Sequence, residues 1–141
     1  VLALACIDQG QVFVSGSADG TARLWSLSNK FCLRIFSEHS GPVRSIAALD
    51  QVTFLTGSDD TTVKVWNALS ATSLRTFEGH TDQVTSVTVC HDGKIFLTSS
   101  ADCTIKIWVL TSIQEENDSD SDDDLFDLND FTCGASIKEV D

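Results

Sequence analysis

Apolar and polar residues alternate along most of this chain in short runs that are separated by turn-forming clusters. Val84-Thr-Ser-Val-Thr-Val-Cys90 places its valines at every second or third position among smaller polar residues. Thr104-Ile-Lys-Ile-Trp108 sets Ile105 and Ile107 opposite in facing to Thr104, Lys106 and Trp108. A period near two over four to eight residues predicts half-buried β-strands, and helical spacing has little support. Between these runs, His91-Asp92-Gly93-Lys94 reads as a hairpin turn, because Asp-Gly tolerates the positive φ that tight hairpins require. Ile95 to Thr98 is the returning strand.

The pattern recurs. One ten-residue phrase is written three times, from Gly16 to Trp25, Gly57 to Trp66 and Ser99 to Trp108, so that the tryptophans fall 41 and then 42 residues apart. A fixed period of this length means stacked supersecondary units, none of which buries a core alone. Each phrase accounts for three strands. A fourth is visible after the first two tryptophans, at Phe31 to Phe36 and Ser73 to Phe77, and each leads into a histidine 14 residues beyond its tryptophan, His39 and His80. The aligned spacing differs by one residue, since Asp8-Gln9-Gly10 has one more residue before its second strand than Asp50-Gln51, a change suited to a hairpin loop.

With Gly79-His80, the Gly/Ser-Ser-x-Asp turns and the closing tryptophans, roughly residues 1 to 113 resemble the WD-repeat (WD40) family of β-propellers. The chain departs from the family pattern at Glu38, which replaces the Gly before His39, and at Ser26, Asn67 and Val109, which replace the Asp after each Trp. The resemblance implies an all-β partial β-propeller of three four-stranded antiparallel blades, about 1–37, 38–78 and 79–113, the third incomplete or interrupted. Strand one would line the central channel and strand four lie outermost. It also implies a hydrogen-bonded set running His to Asp to Ser/Thr to Trp. By motif position these are His39, Asp60, Ser58 and Trp66, then His80, Asp102, Ser100 and Trp108; the first unit has Ser17, Asp19 and Trp25 and no histidine. A buried Asp is costly unless it accepts several hydrogen bonds, which supports a structural role. A set that recurs in each repeat is not expected of a nucleophile.

In a propeller the inter-blade loops and the second turn of each repeat gather on one rim. The candidate partner-binding residues there are Ser40, Pro42, Arg44 and Asp59 from the second unit, Asp82, Gln83, Thr85 and Ala101 from the third, and Ala18 from the first. Arg44 is the leading contact, since Arg pairs bidentately and is enriched at hot spots.

Composition changes abruptly after Ile113. Residues 1–114 hold ten acidic and eight basic residues, whereas 115–141 hold eleven and one, so −10 of the net charge of −12 belongs to the tail. A nearly neutral body offers no basic face for nucleic acid. Self-repulsion should leave the acidic low-complexity segment from 114 onward disordered. Two readings stay open for it: a loop insertion before a last outer strand near 135–140, or a linker. Within it, Leu125-Phe-Asp-Leu-Asn-Asp-Phe131 interleaves large apolar residues with acids, a short docking motif or a solvating linker, and Ser119 and Ser121 each have an acid three positions on, which marks them as candidate phosphorylation sites.

The remaining sequence features narrow the function. The chain has no Met and opens on Val1 inside an apolar run, which gives the expectation of a fragment whose remaining blades lie in a parent chain. Three blades leave two faces uncovered, so autonomous stability is not expected, and self-association is the lesser alternative. Five cysteines in an odd count without C-x-x-C spacing imply reduced thiols, no zinc site and a cytoplasmic or nuclear location. Phosphate-cradling loops, cofactor motifs and membrane spans are not seen. The expectation is a non-enzymatic, cofactor-free scaffold or adaptor that binds other proteins or peptides. The alternative is the regulatory region of a larger signalling or enzyme-complex protein, and a narrower idea is an acidic-tail protein handling basic partners.

Overall fold

The computed structural model of the protein describes residues 1–70, 72–90 and 93–110, and the backbone of Ser136–Lys138. His91, Asp92, Cys133, Ser119, Ser121 and the acidic run lie outside the described residues. The first sheet runs β1 (Ala3–Ile7), β2 (Val12–Gly16), β3 (Ala22–Ser26) and β4 (Cys32–Phe36) in chain order. The second repeats this order with β5 (Val43–Ala48), β6 (Thr53–Ser58), β7 (Val63–Asn67) and β8 (Ser73–Phe77). The third has β9 (Val84–Cys90), β10 (Ile95–Ser100) and β11 (Thr104–Val109), with the backbone of β12 (Ser136–Lys138) paired antiparallel along the free edge of β11. Every pairing is antiparallel.

Turn chemistry sets the hairpins. The β1–β2 connection is a left-handed turn in which Asp8, Gln9 and Gly10 have φ of 53°, 55° and 87°. Its shorter counterpart is held by Asp50, whose carboxylate accepts the N–H groups of Val52 and Thr53 at 2.8 Å. The turns between the second and third strands need one residue in the left-handed region, occupied by Gly20, Thr61 and Cys103 at φ of 89°, 77° and 70°. Only the first copy uses the residue with no side-chain penalty there.

Alternation gives each sheet two apolar faces, and the sheets stack through them. Phe13 lies opposite Trp25, Phe54 opposite Trp66 and Phe96 opposite Trp108, giving stacked rings with centroids 6.1, 6.3 and 6.0 Å apart. Onto the second platform the preceding sheet drives Phe36, whose ring meets Phe54 and Trp66 edge-on at 5.2 Å each. Phe77 does the same to Phe96 and Trp108 at 5.1 and 5.3 Å. An aromatic side chain of 150–250 Å² removed from water contributes on the order of 4–6 kcal/mol gross, so these wedges dominate both seams.

β5 packs against β1 on one side and β9 on the other, which puts the first strand of each sheet at the inner edge of the stack. Close approach there requires glycine. A methyl group on Gly16 would stand 2.7 Å from Val43 Cγ1, and one on Gly57 would stand 2.8 Å from both Val84 Cγ1 and Val87 Cγ2. The third copy has Ser99 at this position, on a face that no sheet covers among the described residues, and its hydroxyl pairs with Thr85 at 2.9 Å. Gly57→Ala is therefore expected to destabilise the fold by about 1–3 kcal/mol through overpacking. Ser99→Ala should change it by less than about 1 kcal/mol. Urea unfolding followed by tryptophan fluorescence checks the contrast, and equal effects would contradict the seam as described.

Candidate functional site

The chemistry-bearing side chains fall into two groups, a buried clamp at each seam and an exposed rim. The clamp begins in the loop after β4. His39 leaves the first sheet and enters the second, where Nδ1 lies 2.8 Å from Asp60 Oδ2 and Nε2 lies 2.7 Å from Thr56 Oγ1. The same hydroxyl accepts the indole N–H of Trp66 at 2.8 Å. The next seam repeats these distances, with His80 bridging Asp102 at 2.8 Å and Thr98 at 2.7 Å, and Trp108 donating to Thr98 at 2.8 Å.

Donor and acceptor counting fixes the direction of the chain. The ionised carboxylate only accepts, so the N–H of a neutral imidazole sits at Nδ1 facing Asp60 and Nε2 accepts the Thr56 O–H, whose oxygen in turn accepts the indole N–H of Trp66. Asp60 is saturated in turn: Oδ2 also accepts the Ser40 N–H at 3.0 Å, and Oδ1 accepts the Thr62 N–H at 2.9 Å and its hydroxyl at 2.6 Å. Burial pushes this carboxyl up, but the hydrogen bonds from His39 and Thr62 outweigh it and hold Asp60 well below the usual carboxylate range. At Asp102 burial likewise raises, and the bonds from Thr104, His80 and Thr81 lower by more.

The hydroxyl that joins histidine to tryptophan is thus Thr56 or Thr98, and not Ser58 or Ser100 as the motif positions implied. Trp66 lies directly opposite Phe54, and the indole reaches the diagonal neighbour Thr56 on the same face of β6. Ser58 stands two residues further along, about 7 Å away by strand rise. It ties the loop to the turn instead, donating to the Gly41 carbonyl and accepting the Asp60 N–H, both at 3.0 Å. Ser100 makes the equivalent bonds to Asp82 O and Asp102 N. In the first sheet Trp25 donates to Ser15 at 2.9 Å, Ser17 accepts the Asp19 N–H, and Asp19 accepts from Thr21, with no histidine beside them among the described residues.

Threonine, histidine and aspartate joined in this order have the connectivity of a hydrolytic triad. Here the Thr56 hydroxyl is fully buried and its oxygen already takes the indole proton, so no carbonyl carbon can reach it.

The rim is built differently. Arg44 and Asp59 form a two-point ion pair, Nε to Oδ1 at 2.6 Å and Nη2 to Oδ2 at 2.9 Å, with Arg44 42% exposed and Asp59 13%. Hydrogen bonding and charge from Asp59 push the guanidinium above its ordinary value. Asp59 N–H donates to Pro42 O at 2.9 Å, and Ala101 N–H donates to Gln83 O at 2.9 Å, so the same backbone stitch joins loop to turn in both copies. Asp82 accepts the Gln83 N–H, Thr85 pairs with Ser99, and Ala18 is exposed on the turn of the first sheet. The positions that match Arg44 and Asp59 carry Leu2 and Ala18, or Thr85 and Ala101, so the ion pair belongs to the second copy alone. Glu38, which stands in place of a glycine, accepts the Ser73 hydroxyl at 2.7 Å and its N–H at 3.2 Å, fastening the inter-sheet loop to the start of β8.

Four-stranded antiparallel sheets stacked face to face, each latched to the next by a buried histidine, are blades of a β-propeller-type repeat protein. The model of the WD40 family, described as WD domain, G-beta repeat, matches residues 1–26, 30–67 and 71–109, and the chain belongs to that family. No individual curated protein matches it. WD40 repeats generally bind other proteins and mediate complex assembly, and they are typically not catalytic.

Two outcomes follow from the clamp. Thr98→Val removes one hydroxyl and strands two buried partners, and should cost about 2–4 kcal/mol in urea unfolding, against under about 1 kcal/mol for the exposed Thr85→Val. Asp60 and Asp102 have folded values depressed below the ordinary 3.8. Their contribution is complete above that value and is lost as pH falls below it. The stability gap between the parent chain and Asp60→Asn/Asp102→Asn should shrink from pH 5 to pH 3, and parallel pH curves would refute this.

Proposed function

We propose that the chain is an interaction scaffold whose rim, centred on the Arg44–Asp59 pair, contacts a protein partner, and that it catalyses no reaction itself. The observation that supports this reading is where polar chemistry is used. The clamp carboxylates and imidazoles are consumed internally in both seams, whereas the rim pair is bidentate, presents an exposed Arg44 and is confined to one copy. Holding a guanidinium in a fixed fork lowers the ordering cost of meeting a partner while leaving the outer donors available. Four cysteines, Cys6, Cys32, Cys90 and Cys103, are free and exposed, which suits the reducing conditions of cytoplasm or nucleus.

Quantitative proximity labelling in cells tests the reading, comparing the parent chain with Arg44→Ala and with deletion of residues 115–130. A surface ion pair contributes only about 0–1 kcal/mol to stability, so Arg44→Ala should stay folded. It should weaken recovery of a defined partner roughly tenfold or more, the range of a binding hot spot. A partner set unchanged by Arg44→Ala but lost with residues 115–130 would move the contact to the acidic segment and overturn the rim assignment.

A further inference from the structure

The outermost strand of the first sheet carries an apolar strip that the fold does not use. Phe31, just ahead of β4, is 68% exposed, Leu33 and Ile35 within it are 49% and 46% exposed, and Leu27 in the turn before it is 50% exposed. This exposure belongs to the position and not to an uncovered sheet face. By register the second sheet has Thr72, Leu74 and Thr76 at the places of Phe31, Leu33 and Ile35. The first sheet packs against that second sheet, yet Leu74 is 56% exposed and both threonines are exposed as well. Large apolar side chains at Phe31 and Ile35 are therefore no requirement of the architecture, and a contiguous exposed strip of them marks a contact surface.

The surroundings of the strip are basic. From Gly20 to Ser37 the chain holds Arg23, Lys30 and Arg34 and no acidic residue, an island of positive charge in a chain of net charge −12. Arg23 lies directly opposite Ile35 and has Asp19 at 3.9 Å. Among the described residues neither Lys30 nor Arg34 has an ion-pair partner, and Arg34 Nε is buried without an acceptor. The pairing of β4 with β3 shifts register between Leu24 and Trp25. A bulged edge accepts a further strand poorly, so the strip meets a partner through its side chains.

We propose that this strip is a docking surface, separate from the rim, for an extended segment of another protein in which large apolar residues alternate with Asp or Glu. Phe31, Leu33 and Ile35 recur at every second residue, about 7 Å apart, and alternate residues of an extended partner have the same spacing. Its carboxylates reach Lys30, Arg34 and Arg23 on either side. The chain's own Leu125-Phe-Asp-Leu-Asn-Asp-Phe131 has this composition but is tethered elsewhere. Phe131 stands five residues before Ser136, whose backbone pairs on the third sheet. Five residues extend about 18 Å at most, and the first and third sheets are two spacings of about 10 Å apart, so the segment does not lie along β4 of its own molecule.

The test titrates the full chain into fluorescein-labelled Glu-Leu-Glu-Phe-Glu-Leu-Glu and follows anisotropy. Saturable binding is expected, weaker by about tenfold or more for Lys-Leu-Lys-Phe-Lys-Leu-Lys and for the variant Phe31→Thr/Ile35→Thr. That variant takes the side chains which the second sheet carries at the same places, so its thermal midpoint should match the parent chain. Lys30→Glu should weaken binding severalfold, and the difference should shrink as salt rises from about 0.05 to 0.5 M. Arg44→Ala should leave peptide binding unchanged, which separates this surface from the rim. Absence of saturable binding, equal binding of the two peptides, or unchanged binding by Phe31→Thr/Ile35→Thr overturns the proposal. So does a dimer of the peptide-free chain that Phe31→Thr/Ile35→Thr dissociates in light scattering, since that makes a second copy the occupant.

Discussion

A single buried hydroxyl at each seam carries two obligations at once, and the stack depends on its meeting both. Thr56 and Thr98 each accept the indole N–H of one strand and donate an O–H to the histidine arriving from the neighbouring sheet. The histidine is in turn held by a carboxylate that is locked into its turn by backbone N–H groups. A lone buried carboxylate or imidazole would oppose folding; a chain of groups in which each donor meets an acceptor converts that liability into a directional latch. Dispersion and hydrophobic burial through Phe36 and Phe77 supply most of the adhesion, and the latch fixes the angle at which it is delivered.

Space imposes a second constraint that acts together with the first. The inner strands approach so closely that Gly16 and Gly57 leave no room for a methyl group, and the valines that fill the gap are wholly buried. Aromatic wedges toward the outer part of the sheet and glycine–valine contacts toward the inner part make each seam a two-point attachment, so the sheets cannot slide past one another without losing one or the other. That rigidity gives a rim residue such as Arg44 a fixed position, and function in this architecture then reduces to which side chains vary on an invariant frame.

Much of this was legible in the sequence. The tryptophan period, the alternating runs and the Asp-containing turns determine strand number and order, because each of those signals is local. The seam histidines were legible from spacing, since His39 and His80 fall at one fixed distance beyond Trp25 and Trp66. Thr56 and Thr98 were not. Ser58 and Ser100 sit inside the recurring phrase and attract the assignment, while the decisive threonine is chosen by a diagonal across two paired strands, a relation that exists only once register is set. Period-two facing was the one available hint, since Thr56 shares a face with Phe54. The bond from Ser73 to Glu38 was equally hidden, as the partners lie 35 residues apart in chain and meet only when the second outer strand folds back.

The stretches matched by the family model are offset from the sheets by one strand: residues 30–67 start at the outer strand of the first sheet and finish at the third strand of the second. The stretches 30–67 and 71–109 each therefore contain the latch that joins two units of geometry. Duplicating such a stretch adds a blade and, in the same piece of chain, the histidine and phenylalanine that fasten it to its predecessor. An array of this kind can lengthen by copying without inventing a new interface, whereas copying along sheet boundaries would separate each fastener from the strand that carries it.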